Sequence, residues 1–154
     1  MESATVRVEL VEWGQGESAI RLIRETVFVR EQGVPLELEW DGLDPACRHL
    51  LAWNDHGEPV GTARLYQEGT RAKLGRMAVL GAYRGHGVGR SLLRRLLDLA
   101  QEQGVTEVRL AAQVSAIGFY EREGFRAVGE MFDDAGIPHR AMTLVLPPAP
   151  GERR

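Results

Sequence analysis

Gly81-Ala82-Tyr83-Arg84-Gly85-His86-Gly87-Val88-Gly89-Arg90-Ser91-Leu92-Leu93-Arg94-Arg95-Leu96-Leu97 is the stretch whose reading decides the fold. Its second half is the strongest helix in the chain. Leu92, Leu93, Leu96, Leu97 and Ala100 form one apolar stripe, Arg94, Arg95, Asp98 and Glu102 the opposite face, and Gly104 ends it. Its first half is a glycine-rich loop that receives a strand, about 72–80, and delivers the chain at once into that helix. Small residues let other groups approach the backbone closely, several N–H groups point inward, and the helix dipole adds positive potential, so a pyrophosphate would fit. The glycine spacing is wrong for the dinucleotide pattern G-x-G-x-x-G, and no Gly-Lys-Ser/Thr follows as in a Walker A loop. Taken alone, the glycines equally allow a flexible turn that binds nothing.

Outward from this unit, Val6, Val8 and Leu10 alternate with polar residues as a half-buried first strand. Ile20, Ile23 and Val27 recur at helical spacing over about 17–31, before Gly33 and Pro35. Strands at about 48–54 and 59–67 flank the turn residues Asn54-Asp55-His56-Gly57-Glu58 and read as a hairpin. After the central helix come a strand at 105–112, a short helix at 115–123 closed by Gly124, and strands at about 125–132 and 141–146. The order β α β β β α β α β β predicts an α/β (α+β) fold with a mixed, mostly antiparallel central sheet and helices on both faces.

The chain has 154 residues, of which 44% are hydrophobic and 27% charged, with a formal net charge of -3. That is the size and composition of one soluble domain, read as 1–146 with a flexible Pro-rich tail at 147–154. No apolar run reaches the length a bilayer requires, and the N-terminal residues lack the basic and apolar regions of a signal peptide, so the expected location is cytoplasmic. A slightly acidic chain lacks the basic excess that nucleic acid rewards. The single Cys47 excludes an internal disulfide, and four scattered histidines offer no metal spacing, so no metal is expected. Of the 19 basic residues only Lys73 is a lysine, a bias that a GC-rich genome would produce.

The loop Arg84-Gly85-His86-Gly87-Val88-Gly89 resembles the R/Q-x-x-G-x-G/A motif of the GNAT superfamily of acyl-CoA-dependent N-acyltransferases. Gly75-Arg76-Met77-Ala78-Val79 looks like the strand that precedes it. Ala116-Ile117-Gly118-Phe119-Tyr120-Glu121-Arg122-Glu123-Gly124-Phe125 resembles the A-x-x-F-Y-x-x-x-G-F signature further on. Val27 to Pro35, the acidic run through Asp41, and Gly136-Ile137-Pro138-His139 resemble a bacterial branch of small GNAT proteins with undefined acceptors.

The resemblance implies an acetyl-CoA-dependent N-acetyltransferase acting on an unidentified primary amine, as a monomer or homodimer; the alternative is a non-catalytic acyl-CoA-binding sensor or scaffold. It implies that Gly85, His86, Gly87, Val88, Gly89 and Arg90 hold the CoA pyrophosphate, with Arg84 as an outer phosphate contact. The backbone of Met77, Ala78 and Val79 would run beside the pantetheine arm. Gln113 stands where many relatives carry Asn. Tyr120 occupies the position of the general acid that protonates the departing thiolate; its packing alone would read as an aromatic pair with Phe119. For the amine side, a carboxylate or histidine should accept the ammonium proton. Candidates are Glu31, Glu37, Glu39, Asp41, His49 and His139, with His139 and Glu31 ranked first, and the acidic run is expected to border the acceptor entrance. Cys47 is expected in the core.

Overall fold

The structure is a computed structural model and describes residues 6–148. The seven strands are β1 (Arg7–Val11), β2 (Arg48–Trp53), β3 (Pro59–Glu68), β4 (Arg71–Val79), β5 (Glu107–Gln113), β6 (Arg126–Asp134) and β7 (Ile137–Val145). The α-helices are α1 (Trp13–Arg24), α2 (Leu36–Glu39), α3 (Val88–Glu102) and α4 (Ile117–Arg122). The sheet order is β1-β2-β3-β4-β5-β7-β6, and every neighbouring pair is antiparallel except β4 with β5. Element order and sheet type therefore agree with the sequence expectation.

Alternation along the strands puts a helix on each face. In β2, Leu50 and Ala52 join the larger core with Leu92, Leu93 and Leu96 of α3, whereas Leu51 between them joins Ile20 and Ile23 of α1. Within α3, Leu99 is buried along with Leu92, Leu93, Leu96 and Ala100, while Leu97 is half-buried, so the stripe is rotated slightly from the one expected. Leu10 is 44% exposed instead of inward, as an edge-strand position permits. Among the described residues no helix is long and apolar enough to cross a membrane.

Several boundaries differ for identifiable reasons. The first helix starts at Trp13 and becomes a π-helix over Glu25–Glu31. Thr26, Val27 and Val29 are β-branched and crowd an α-helical turn, and the Gln32 N–H donates to the Val27 carbonyl, five residues back. The polar stretch before β2 contains α2 and a 3₁₀ turn at Asp44–Ala46. β6 and β7 run on to Asp134 and back from Ile137 through a two-residue turn in which Ala135 and Gly136 have φ of 53° and 81°. That is a type I′ hairpin. Pro138 is tolerated because β5 ends at Gln113, opposite His139, so no ladder bond from β5 is lost. Of the expected tail, Pro147 and Pro148 accept hydrogen bonds from Gln101 Nε2 at 2.9 and 3.2 Å, and the rest lies outside the described residues.

Two features of β4 create an opening in the sheet. Its parallel pairing with β5 covers only Arg71, Ala72 and Lys73, after which the strands diverge. Opposite Ala63 of β3, β4 also carries an extra residue, with Arg76 at φ 50°. This bulge bends β4 away from β5.

Candidate active site

At the loop, Gly85 and Gly87 have φ of 79° and 86°, a left-handed conformation that a side chain would strain. A Cβ at Gly85 would meet no atom within 4 Å, so the backbone there faces open space. Gly87 is the N-cap of α3 and no side chain caps the helix; the first internal bond runs from the Ser91 N–H to the Gly87 carbonyl. The preceding first-turn N–H groups of Val88, Gly89 and Arg90 lie where helices leave their donors free. A cavity of about 660 Å³ stands before them, lined by Arg84, Gly85, Gly87, Gly89, Arg90 and Arg122 among others. Open glycine backbone, free amide donors and arginines fit a pyrophosphate. His86 is half-buried and does not line this cavity.

Val79 and Arg84 also line a second cleft of about 480 Å³, so the two adjoin. This cleft fills the splay between β4 and β5 and is walled by Met77, Ala78, Gln113, Tyr120 and His139. Tyr120 is wedged edge-on between Phe119 (5.0 Å between ring centroids) and Phe125 (5.8 Å). Its hydroxyl meets only Met77 Sδ, at 3.8 Å, and a thioether is a weak acceptor. Burial pushes the phenol up to about 12, so it stays protonated at neutral pH.

His139 is buried to 8% exposure, stacks on Phe132 at 5.9 Å, and places Nδ1 2.7 Å from the Ile137 carbonyl. A carbonyl only accepts, so Nδ1 carries the proton and the lone pair of the neutral ring lies at Nε2. Gln113, paired in register with His139, donates from Nε2 to Gln32 Oε1 at 2.8 Å.

Of the remaining amine-side candidates, Glu31, Glu37, Asp41 and His49 do not line this cleft, and Glu39 lines it only as part of an ion-pair cluster. Glu31 accepts two bonds of 2.7 Å from Arg84 Nη2, while Arg84 Nε donates to the Val79 carbonyl at 2.8 Å. Glu31 is thus tied to the glycine-rich loop and does not line the cleft. Glu39 does line it, but its carboxylate is buried to 3% side-chain exposure, 2.6 Å from Arg24 Nε and 3.2 Å from Arg76 Nε. Asp41 pairs with Arg64 and Arg76, and the Arg64 bond holds its carboxyl well below the usual range despite partial burial. Burial opposes ionisation of Asp44, yet Arg24 at 2.6 Å and Arg64 at 2.9 Å keep it low. Glu37 is exposed.

His49 is fully buried, lines neither cavity, donates through Nε2 to the Asp44 carbonyl at 2.7 Å, and is pulled down by burial. Cys47 is half-buried at the edge of this cluster, and burial pushes its thiol up. Glu39 and Asp41 of the acidic run, joined by Asp44, therefore form a three-carboxylate, three-arginine cluster that stitches α1 and α2 to the β4 bulge, while Glu37 stays outside it. One signal of it was legible: Arg24 sits on the same helical stripe as Ile20 and Val27, where a charge needs a buried partner.

A sheet opened between two parallel strands, with a helix-capped anion cradle at the mouth, is the architecture of an acyl-CoA N-acyltransferase. Residues 16–125 match the family described as Acetyltransferase (GNAT) family, and the chain belongs to that family. It is 40% identical over 121 residues to an uncharacterized N-acetyltransferase, YjcF, of Bacillus subtilis, covering 78% of this chain and 86% of that protein. The crystal structure of an acyl-CoA N-acyltransferase from Pseudomonas aeruginosa superposes with a TM-score of 0.80 at 32% identity, over 90% of this chain and 99% of that one. The PaiA N-acetyltransferase of Thermoplasma acidophilum, solved in complex with coenzyme A, shares the fold at a TM-score of 0.70 and 18% identity, over 92% and 99% of the two chains.

Proposed function

We propose that this chain transfers an acetyl group from acetyl-CoA to a primary amine by direct attack within a ternary complex. One observation carries this reading: a buried phenol with no strong hydrogen-bond partner opens into the same cleft that adjoins the glycine cradle. Family membership and a relative's coenzyme A complex support acyl-CoA as the donor.

Gly85, Gly87, Val88, Gly89, Arg90 and Arg84 bind the pyrophosphate, without His86, and the edge of β4 from Met77 to Val79 that β5 leaves unpaired offers backbone groups to the pantetheine amides. Gln113 flanks that arm. The neutral amine attacks the thioester carbon; the C–N bond forms, the tetrahedral intermediate collapses, and the C–S bond breaks. Tyr120 Oη delivers its proton to the leaving sulfur. The proton lost by the nitrogen passes to His139 Nε2, whose lone pair the Ile137 bond leaves free. Glu31 has no place near the reacting atoms, so its part is confined to holding Arg84.

The test is release of CoA thiol from acetyl-CoA across a panel of primary amines, with mass detection of the acetylated product. Tyr120→Phe should lower kcat by about 10²-fold with little change in CoA Kd, and His139→Gln by about tenfold or more. A wild-type chain that binds CoA yet acetylates no amine would leave a sensor in its place. Undiminished turnover in Tyr120→Phe would remove the phenol from the chemistry.

A further inference from the structure

Two charged side chains of the cleft have neither a use in the mechanism above nor an ion-pair partner among the described residues. Among its cations, Arg76 is paired with Glu39 and Asp41, and Arg84 with Glu31. Lys73 lines the same cleft, is exposed, and forms an ion pair with no carboxylate among the described residues. It stands opposite Arg109 as the last residue of β4 still paired with β5, at the apex of the splay. Its neighbours Ala72 and Leu74 point into the core beneath α3, so Lys73 faces the other side of the sheet. On the cleft wall beyond, Asp134 at the end of β6 is an exposed carboxylate, again without an ion pair among the described residues, beside Ile137 and His139.

We propose that the acceptor is a small amino acid, whose carboxylate pairs with Lys73 while its ammonium group is drawn in by Asp134 and deprotonated by His139. This deepens the acetyl-transfer reading and rests on it. Charge carries the argument: with Glu39, Arg76 and Arg84 held in ion pairs, the charges left free among the cleft's described residues are one cation at the apex and one anion at the rim, complementary to a zwitterion. Distance agrees. Met77, beside the Tyr120 hydroxyl, lies four residues from Lys73, about 10–13 Å of bulged strand. Lys73, Tyr120 and His139 all line this one cleft, so a small acceptor can reach from the lysine to the reacting groups.

The experiment measures kcat/KM for thiol release with the twenty protein amino acids and their α-amides, with spermidine and benzylamine as carboxylate-free amines. An amide's amine is less basic and more often unprotonated, so chemistry alone favours the amide. At least one free acid should nevertheless exceed its amide by tenfold or more. Lys73→Met should reduce that acid-to-amide ratio at least tenfold, Lys73→Arg should retain most of it, and Asp134→Asn should raise KM for the same acid. Equal use of acid and amide, or a ratio that Lys73→Met leaves unchanged, overturns the proposal. Turnover of spermidine or benzylamine with no amino acid accepted overturns it while sparing acetyl transfer; thiol release with no amine at all overturns both.

Discussion

Replacing Glu39 by Gln removes one negative charge from a cluster of Arg24, Arg64, Arg76, Glu39, Asp41 and Asp44 whose formal charges otherwise cancel. Arg24 is 0% exposed, and Glu39 is one of its two carboxylates, at 2.6 Å; Arg76 Nε faces the same group at 3.2 Å. The amide keeps the volume and one acceptor oxygen but presents an NH₂ to a guanidinium, so a buried cation is left under-neutralised. Breaking a buried pair from one side costs about 3–5 kcal/mol. For a chain of this length, each kcal/mol lowers Tm by about 2–4 °C, so the melting point should fall by about 6–20 °C. Calorimetry on the folded variant measures this directly, and acetyl-CoA and amine kinetics below the new Tm separate stability from substrate binding. An unchanged Tm together with a raised amine KM would refute the reasoning, returning Glu39 to the role of a solvated acceptor-binding carboxylate.

Gly87→Val forces a β-branched residue to φ 86° at the mouth of the cradle, so CoA affinity measured by calorimetry should fall at least tenfold, about 1.4 kcal/mol, in a chain that still folds. Glu31→Gln frees Arg84 from an exposed ion pair beside the proposed phosphate site; CoA should bind up to about fivefold more tightly at low salt, with the gain shrinking as salt rises, and amine KM should not move. Asp41 and Asp44 have folded pKa values below their unfolded ones, so their stabilisation is present above about pH 4 and is lost as pH falls through the folded values. Buried His49 acts earlier: its folded pKa is depressed, so the unfolded chain takes up a proton first, and stability should begin to drop below about pH 6.5. Urea midpoints between pH 8 and 3 should show both steps, and His49→Gln, if folded, should lose the first.

Local signals made the frame of this molecule legible in its amino-acid order, and the same locality explains what stayed hidden. Strand alternation, the α3 stripe and the glycines at 85, 87 and 89 depend on neighbours within one element, so they could be read without knowing the partner elements. The wedge of Tyr120 between Phe119 and Phe125 joins groups within six residues. Its proposed use as an acid required the family resemblance, because physical pattern alone reads the pair as packing. What could not be read are pairings across the fold. Arg24 meets Asp44, and Arg64 meets Asp41, at separations of 20 and 23 residues, and Arg84 meets Glu31 across 53. A run of carboxylates looks solvated in one dimension until the arginines that neutralise it are placed. The same holds in reverse for Lys73: its want of an ion pair among the described residues is visible only once the carboxylates are placed and none of them meets it. Charge bookkeeping in three dimensions thus moves the acidic run from substrate attraction to architecture, and leaves a lysine and an aspartate as the groups free to choose the acceptor.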